Sequence, residues 1–107
     1  MTIDTWAQKQ IEARLVEARI VKKIFKTLRD ADDPIVSADD TEDRYTVTTL
    51  DEVLNAAFSV DQIFFHTRRG GWVCLVMGEG WDILCDYSVS LEEALYPVTE
   101  YVDKNLV

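Results

Sequence analysis

The sequence is poor in the residues that usually carry chemistry. Its 107 residues include one histidine, His66, and two cysteines, Cys74 and Cys85. They contain no Cys-x-x-Cys or His-x-x-x-His pair of the kind that holds a structural zinc ion. A phosphate-binding glycine loop and a Gly-x-Ser-x-Gly nucleophile turn are also missing. We therefore predict a protein that is not an enzyme and that has no metal, no cofactor and no catalytic residue.

Long apolar runs are missing as well. A membrane-spanning helix needs about 20 consecutive apolar residues, and the sequence has no such run. The first residues show no basic-then-apolar pattern with a small-residue cleavage site, so no secretion signal is predicted. With 48% apolar residues the chain can fill one hydrophobic core but not two. We expect a single domain over residues 1–107, in the cytoplasm and not bound to a membrane.

Positive charge is scarce, and it is concentrated at one end. The chain has 11 Lys/Arg against 20 Asp/Glu, a net charge of −9. Residues 1–29 carry seven cations against three acids, a sum of +4, whereas residues 30–107 carry four against seventeen, a sum of −13. A basic arm on a strongly acidic body indicates contact with other charged macromolecules.

A long N-terminal helix is predicted over residues 4–29, which lack Gly and Pro and are rich in helix formers. Its second half has two stripes at helical spacing. The apolar stripe consists of Val21, Ile24, Phe25 and Leu28, and the basic stripe of Arg19, Lys22, Lys23, Lys26 and Arg29. Because Ile11 and Leu15 lie off the apolar stripe, the helix either bends or packs its first half against something else. The basic stripe could contact nucleic acid or an acidic surface, face solvent, or pair with the protein's own acidic body.

An acidic loop is predicted at residues 30–43, where seven of fourteen residues are carboxylates and Pro34 ends the first helix. It is not a calcium loop, because the sixth position counted from Asp30 is Ile35 rather than Gly and the twelfth is Thr41 rather than Glu. The loop is either solvated or a surface that meets a basic partner. The predicted partner-binding residues are Asp30, Asp32, Asp33, Asp39, Asp40, Glu42 and Asp43.

Residues 62–87 predict a three-stranded antiparallel meander. All four glycines lie in its two turns, where they permit the positive φ of tight hairpins. Two-residue turns would divide the side chains between two faces. The predicted core face holds Ile63, Phe65, Trp72, Cys74, Val76, Ile83, Cys85 and Tyr87. The reverse face holds Phe64, His66, Val73, Leu75, Met77, Asp82, Leu84 and Asp86. This reverse face is too apolar to face water, so a helix, a second protomer or a partner should cover it.

Elements on either side of the meander complete an α+β fold. Residues 44–49 alternate in polarity and suit a short edge strand. Two capping boxes start helices at Leu50 and Leu91, and they consist of Thr49 with Glu52 and of Ser90 with Glu93. Pro97 lies inside the second helical pattern and should kink it. The predicted order is a long helix, a short strand and helix, the meander, and a C-terminal helix kinked at the proline.

The predicted turns determine on which face of the sheet the histidine and the two cysteines lie. A two-residue turn at Glu79-Gly80 puts Cys74 opposite Cys85, and in a cytoplasm we expect two buried free thiols rather than a disulfide. Cys74 and His66 then lie on opposite faces, which argues against Cys–His catalysis. His66 is predicted to form a hydrogen-bonded surface pair with Asp86.

Three stretches of the chain resemble a known class of small proteins. Gly71-Trp72-Val73, Gly80-Trp81-Asp82-Ile83 and Asp86-Tyr87-Ser88, with the size, acidity and meander-then-helix pattern of residues 50–106, look like small acidic proteins of phages and mobile elements. That class includes anti-CRISPR proteins and similar host-defence inhibitors. The resemblance implies a non-enzymatic inhibitor that occupies a nucleic-acid site on its target. It assigns no role to any individual residue, and the basic first helix departs from an all-acidic nucleic-acid mimic.

The expected function is inhibition of a basic nucleic-acid-binding protein or complex, through charge complementarity or partial nucleic-acid mimicry. An immunity protein against a nuclease toxin would share these features. The alternative is a self-assembling structural or accessory phage protein that forms a homodimer through the long helix or the apolar reverse face. Direct nucleic-acid binding is not expected, and the basic stripe Arg19–Arg29 is the one surface that would suit it.

Overall fold

The structure, a computed structural model, describes residues 3–106 of the chain and the side chains of residues 3–105. Within that range four helices and five strands form two layers, which confirms the α+β class. The helices are α1 (Thr5–Ala13), α2 (Leu15–Asp30), α3 (Leu50–Ala57) and α4 (Tyr96–Leu106). The strands are β1 (Ile35–Asp39), β2 (Arg44–Thr46), β3 (Gln62–Thr67), β4 (Trp72–Val76) and β5 (Leu84–Tyr87). Short 3₁₀ turns lie at Gly80–Asp82 and Val89–Leu91.

The strands form one antiparallel sheet in the order β2-β1-β3-β4-β5. The meander is confirmed as β3, β4 and β5, and β2 is the predicted edge strand. Strand β1 contradicts the predicted acidic loop over residues 30–43, because it spans Ile35–Asp39 inside that segment. Ile35 and Ala38 of β1 are buried, and the strand joins β2 to the meander.

The β3–β4 hairpin turns through three residues, Arg68–Gly70, rather than the predicted two. Ile63 therefore pairs with Leu75, and directly paired residues share a face of the sheet. The predicted assignment of faces is wrong for β4, because one extra turn residue moves every side chain of the strand to the other side. The face under the helices holds Ile63, Phe65, Val73, Leu75, Leu84 and Tyr87.

The predicted N-terminal helix is interrupted at Arg14, where the backbone leaves helical geometry at φ −129° and ψ 63°. The break accounts for the two residues off the apolar stripe, since Ile11 is buried whereas Leu15 is 56% exposed. Arg14 places its guanidinium 5.0 Å from the centre of the Phe58 ring, and its Nη1 is 3.4 Å from the Glu17 carboxylate.

Glu17 is a buried carboxylate that ties α2 to the turn after β4. Its side chain accepts the backbone N–H groups of Gly78 at 2.7 Å and Gly80 at 3.2 Å. Both glycines have a positive φ, 98° and 62°, which a residue without Cβ adopts readily. Because a buried carboxylate needs such donors, these bonds hold the turn against the helix.

The helix predicted at Leu50 is confirmed. Thr49 accepts the N–H of Glu52 at 3.2 Å, and the Glu52 carboxylate accepts the N–H of Thr49 at 3.1 Å. These two bonds are the predicted capping box.

The helix predicted at Leu91 is wrong, because α4 begins only at Tyr96. Pro97 lies in the first turn of α4, where its missing N–H needs no helical partner. A helix that ran through from Leu91 would require that N–H to reach the carbonyl of Glu93. Pro97 therefore marks the start of the helix instead of kinking it.

Helix α2 supplies the centre of the core. Its predicted apolar stripe is buried, with exposed fractions of 8% or less for Val21, Ile24, Phe25 and Leu28. It contacts α1, α3 and α4 and also packs against β1. No helix among the described residues is long and apolar enough to cross a membrane.

Candidate binding surfaces

One face of the sheet points away from the helices, and we call it the open face. Its central side chains are Phe64, His66, Trp72, Cys74 and Val76. Phe64, Trp72 and Val76 are half-buried, yet none of them packs against the core beneath the helices. The rings of Phe64 and Trp72 lie with centroids 5.8 Å apart at an angle of 58°. The contact between these two rings shields part of each.

Charged residues border the open face on both sides. Asp39 of β1 pairs with Phe64 and, on its other side, with Arg44 of β2. Asp86 of β5 pairs with Cys74. An apolar centre within a polar rim is the usual anatomy of a protein–protein interface.

His66 lies in this face between β1 and β4. Burial lowers the pKa of His66 below 6.5, the Arg44 guanidinium lowers that pKa further, and Asp39 opposes both effects. The imidazole Nε2 is buried and has no hydrogen-bond partner among the described residues. The predicted pair with Asp86 is wrong, because strand β4 separates the two residues. The predicted separation from Cys74 is also wrong, since both side chains point to the open face.

The two cysteines are free, as predicted, but only Cys74 is buried. The side-chain amide of Gln62 donates to Cys74 Sγ at 3.5 Å, and burial raises the pKa of the Cys74 thiol. Cys85 is exposed and does not directly oppose Cys74. Leu75 pairs with Leu84 and Cys74 with Asp86, which leaves Cys85 as the extra residue of a β-bulge.

Asp32 and Asp33, two of the acidic residues predicted to bind a partner, bond to residues of the protein itself. Asp32 pairs with Arg68 at 2.9 Å and with Arg69 at 3.1 Å, and these cations lower the pKa of Asp32. Asp33 is only 7% exposed, and it accepts the Thr67 hydroxyl at 3.0 Å and the Arg69 N–H at 2.8 Å. Both carboxylates thereby hold the β3–β4 turn to the end of α2. Asp30 is exposed, and its carboxylate is 3.5 Å from Arg29.

The other four predicted residues form the turn between β1 and β2, and we call Asp39–Asp43 the acidic hairpin. Asp39 accepts the N–H of Thr41 at 2.9 Å. Asp40 accepts the N–H groups of Asp43 at 2.8 Å and Glu42 at 3.0 Å, and these bonds lower the pKa of Asp40. The side chains of Glu42 and Asp43 are exposed, and neither forms a salt bridge with a described residue. The hairpin thus presents negative charge on a backbone that its own carboxylates hold in place.

A basic groove of about 430 Å³ runs along α2 beside α4. Its charged and aromatic lining consists of Arg19, Lys22, Lys23, Lys26, Asp30 and Tyr101. The Lys23 ammonium lies 5.1 Å from the centre of the Tyr101 ring. Among the described side chains, Arg29 is the one member of the basic stripe in a salt bridge, with Asp30, and the four cations that line the groove form none.

Neither the metal-binding side chains of the described residues nor similarity to known proteins identifies a further site. No group of three His, Cys, Asp or Glu side chains within residues 3–105 could hold a metal ion. Comparison with protein-family models, curated proteins and solved structures finds no match to this chain. The open face, the acidic hairpin and the basic groove are the three surfaces that suit a binding partner.

Proposed function

We propose that the protein is a non-catalytic inhibitor that docks its open face and acidic hairpin onto a basic nucleic-acid-binding protein. The observation that carries the proposal is the aromatic pair Phe64–Trp72, which lies outside the core at the centre of a charged rim. A few residues near the centre of a protein interface carry most of the binding energy, Trp is prominent among them, and surrounding residues exclude water. The sheet holds this pair in position before a partner arrives, which lowers the entropic cost of association.

The acidic hairpin supports a basic partner in particular. Asp39 belongs both to the hairpin and to the rim of the open face, so one partner could contact both surfaces. The exposed carboxylates of Glu42 and Asp43 would pair with Lys or Arg side chains that otherwise bind phosphates. Of the seven acidic residues predicted from sequence, we therefore retain Asp39, Asp40, Glu42 and Asp43 as the proposed contacts. Asp32 and Asp33 are already engaged by the protein's own turn.

The test is an affinity capture of partners by three matched proteins at low salt and at about 0.5 M salt, where surface electrostatics is strongly screened. Glu42→Lys/Asp43→Lys reverses two hairpin charges that make no side-chain bond, and Glu92→Lys/Asp103→Lys reverses two exposed acids elsewhere. We expect the natural protein and the second variant to capture the same basic protein, in a salt-sensitive way, and the hairpin variant to lose it. The captured protein should also lose nucleic-acid binding when the inhibitor is added. Equal capture by both variants would refute the role of the hairpin.

Self-assembly through the open face is a second candidate, because the same aromatic centre could meet its copy across a two-fold axis. Val76→Lys places a charge in this face, and the hairpin variant leaves the face unchanged. Light scattering after gel filtration separates the two functions. A natural dimer that Val76→Lys dissociates and Glu42→Lys/Asp43→Lys does not would favour self-assembly, whereas a natural monomer would exclude it.

A further inference from the structure

The basic groove lies outside the proposed docking surface. We infer that it binds the phosphate backbone of a nucleic acid without reading its sequence. This binding is independent of the proposed protein partner, since α2 packs on the side of the sheet opposite the open face.

The local charge of the groove is positive. Four of its lining residues are cations and one, Asp30, is an acid, so the lining sums to +3 in a protein whose net charge is −9. The Asp30 carboxylate is itself 3.5 Å from Arg29. At physiological salt the Debye length is about 8 Å, so the acids on distant surfaces are largely screened from a ligand in the groove.

Three of these cations form a row along α2. Arg19, Lys22 and Lys26 follow one another at one residue per helical turn, a repeat of about 5.4 Å. A row of this kind suits a linear polyanion, which presents its charges at regular intervals, better than it suits a single small anion. Duplex DNA carries about one charge per 1.7 Å of axis and releases condensed counterions when lysines neutralise it.

Lysine predominates among the charged side chains of the lining. Three of the four cations are lysines, which act as point charges and lack the forked geometry with which arginine reads guanine. The lining residues include no Asn or Gln, the side chains that read adenine. Since most of the cations are point charges, the lining favours contact with phosphates.

The experiment is a fluorescence anisotropy titration of labelled duplex DNA, single-stranded DNA and RNA with the purified protein. With four phosphate contacts the affinity for duplex should fall with a log–log salt slope of about −3.6, roughly 150-fold between about 50 and 200 mM salt. Lys22→Gln/Lys26→Gln removes two contacts, and its slope should be about −1.8, a fall of roughly 12-fold over the same range. Both lysines are exposed, and circular dichroism checks that the variant remains folded.

The control variant Lys9→Gln/Lys104→Gln changes the net charge equally at exposed positions outside the groove. It should keep the slope of the natural protein. Absence of nucleic-acid binding at low salt, or a groove variant with the slope of the natural protein, would overturn the inference. So would tighter binding of poly-glutamate than of nucleic acid, which would assign the groove to an acidic protein. Because no protein partner is present, failure here leaves the docking test of the acidic hairpin unaffected.

Discussion

Replacement of Glu17 by alanine should destabilise the protein more than any other removal of a charged side chain. Glu17→Ala leaves the part-buried N–H groups of Gly78 and Gly80 without this acceptor, and the cost is at most about 1–3 kcal/mol each because water can reach them in part. It also removes the ion-pair partner of Arg14, and breaking a fully buried pair costs about 3–5 kcal/mol. Since the Arg14 side chain is 24% exposed and can be hydrated, we expect a total loss of about 3–4 kcal/mol. The melting temperature should fall by roughly 15 °C.

The assay is urea denaturation followed by tryptophan fluorescence, to which Trp81 contributes a local signal. Trp81 follows Gly80 directly, and its ring lies 5.5 Å from that of Tyr101. Glu17→Gln keeps one acceptor oxygen and should lose roughly half as much stability. Glu12→Ala removes an exposed carboxylate that bonds only a neighbouring side chain, and should change stability by less than about 0.5 kcal/mol. A loss below about 1 kcal/mol for Glu17→Ala would show that the turn does not depend on this carboxylate.

Three further predictions concern single positions. Thr49→Ala removes the capping box of α3 and should lower the free energy of unfolding by about 1 kcal/mol in the same urea assay, whereas serine should restore most of it. Gly71→Ala should destabilise by about 1–3 kcal/mol, because the added methyl would lie 2.7 Å from Leu91 Cγ, and Gly71→Ala combined with Leu91→Ala should show that the two losses are not additive. The folded-state pKa of His66 lies below 6.5, so the folded protein binds fewer protons and its stability falls as the pH drops through that pKa. His66→Gln should reduce this loss in unfolding experiments from about pH 7.5 to 5, and NMR titration of the single imidazole should give a midpoint below 6.5.

Features fixed by neighbouring residues could be predicted from the sequence. The capping box of α3 and the apolar stripe of α2 depend on contacts three or four positions apart, and both are found as predicted. The register of the β3–β4 hairpin depends on whether its turn has two residues or three. A three-residue turn with glycine in the left-handed region is common, and Gly70 at φ 90° occupies that position, so the signal was present in Arg68–Gly70.

Features fixed by distant residues could not be predicted. Asp33 looks like its acidic neighbours in sequence, and only the fold brings it to the hydroxyl of Thr67. Strand β1 is half polar, and it is a strand because β2 and β3 bond to it on either side. For the candidate site, Phe64, His66 and Asp86 do lie on the face that was expected to need a cover. Val73 and Leu75 were also expected there, but they lie in the core because the hairpin turn has one more residue. Met77 and Leu84 pack with the core as well, and Asp82 is exposed in a 3₁₀ turn.

The two outer strands of the sheet restrict how another chain can join it. Backbone groups on a straight, exposed outer strand can accept a further strand and so begin open-ended aggregation. Here β2 has only three residues, all exposed, and β5 is bent by the bulge at Cys85. Neither offers a long template for β-augmentation. We therefore expect a partner to bind the face of the sheet and not its edge strands. Such binding gives a complex of fixed stoichiometry, not a growing fibre.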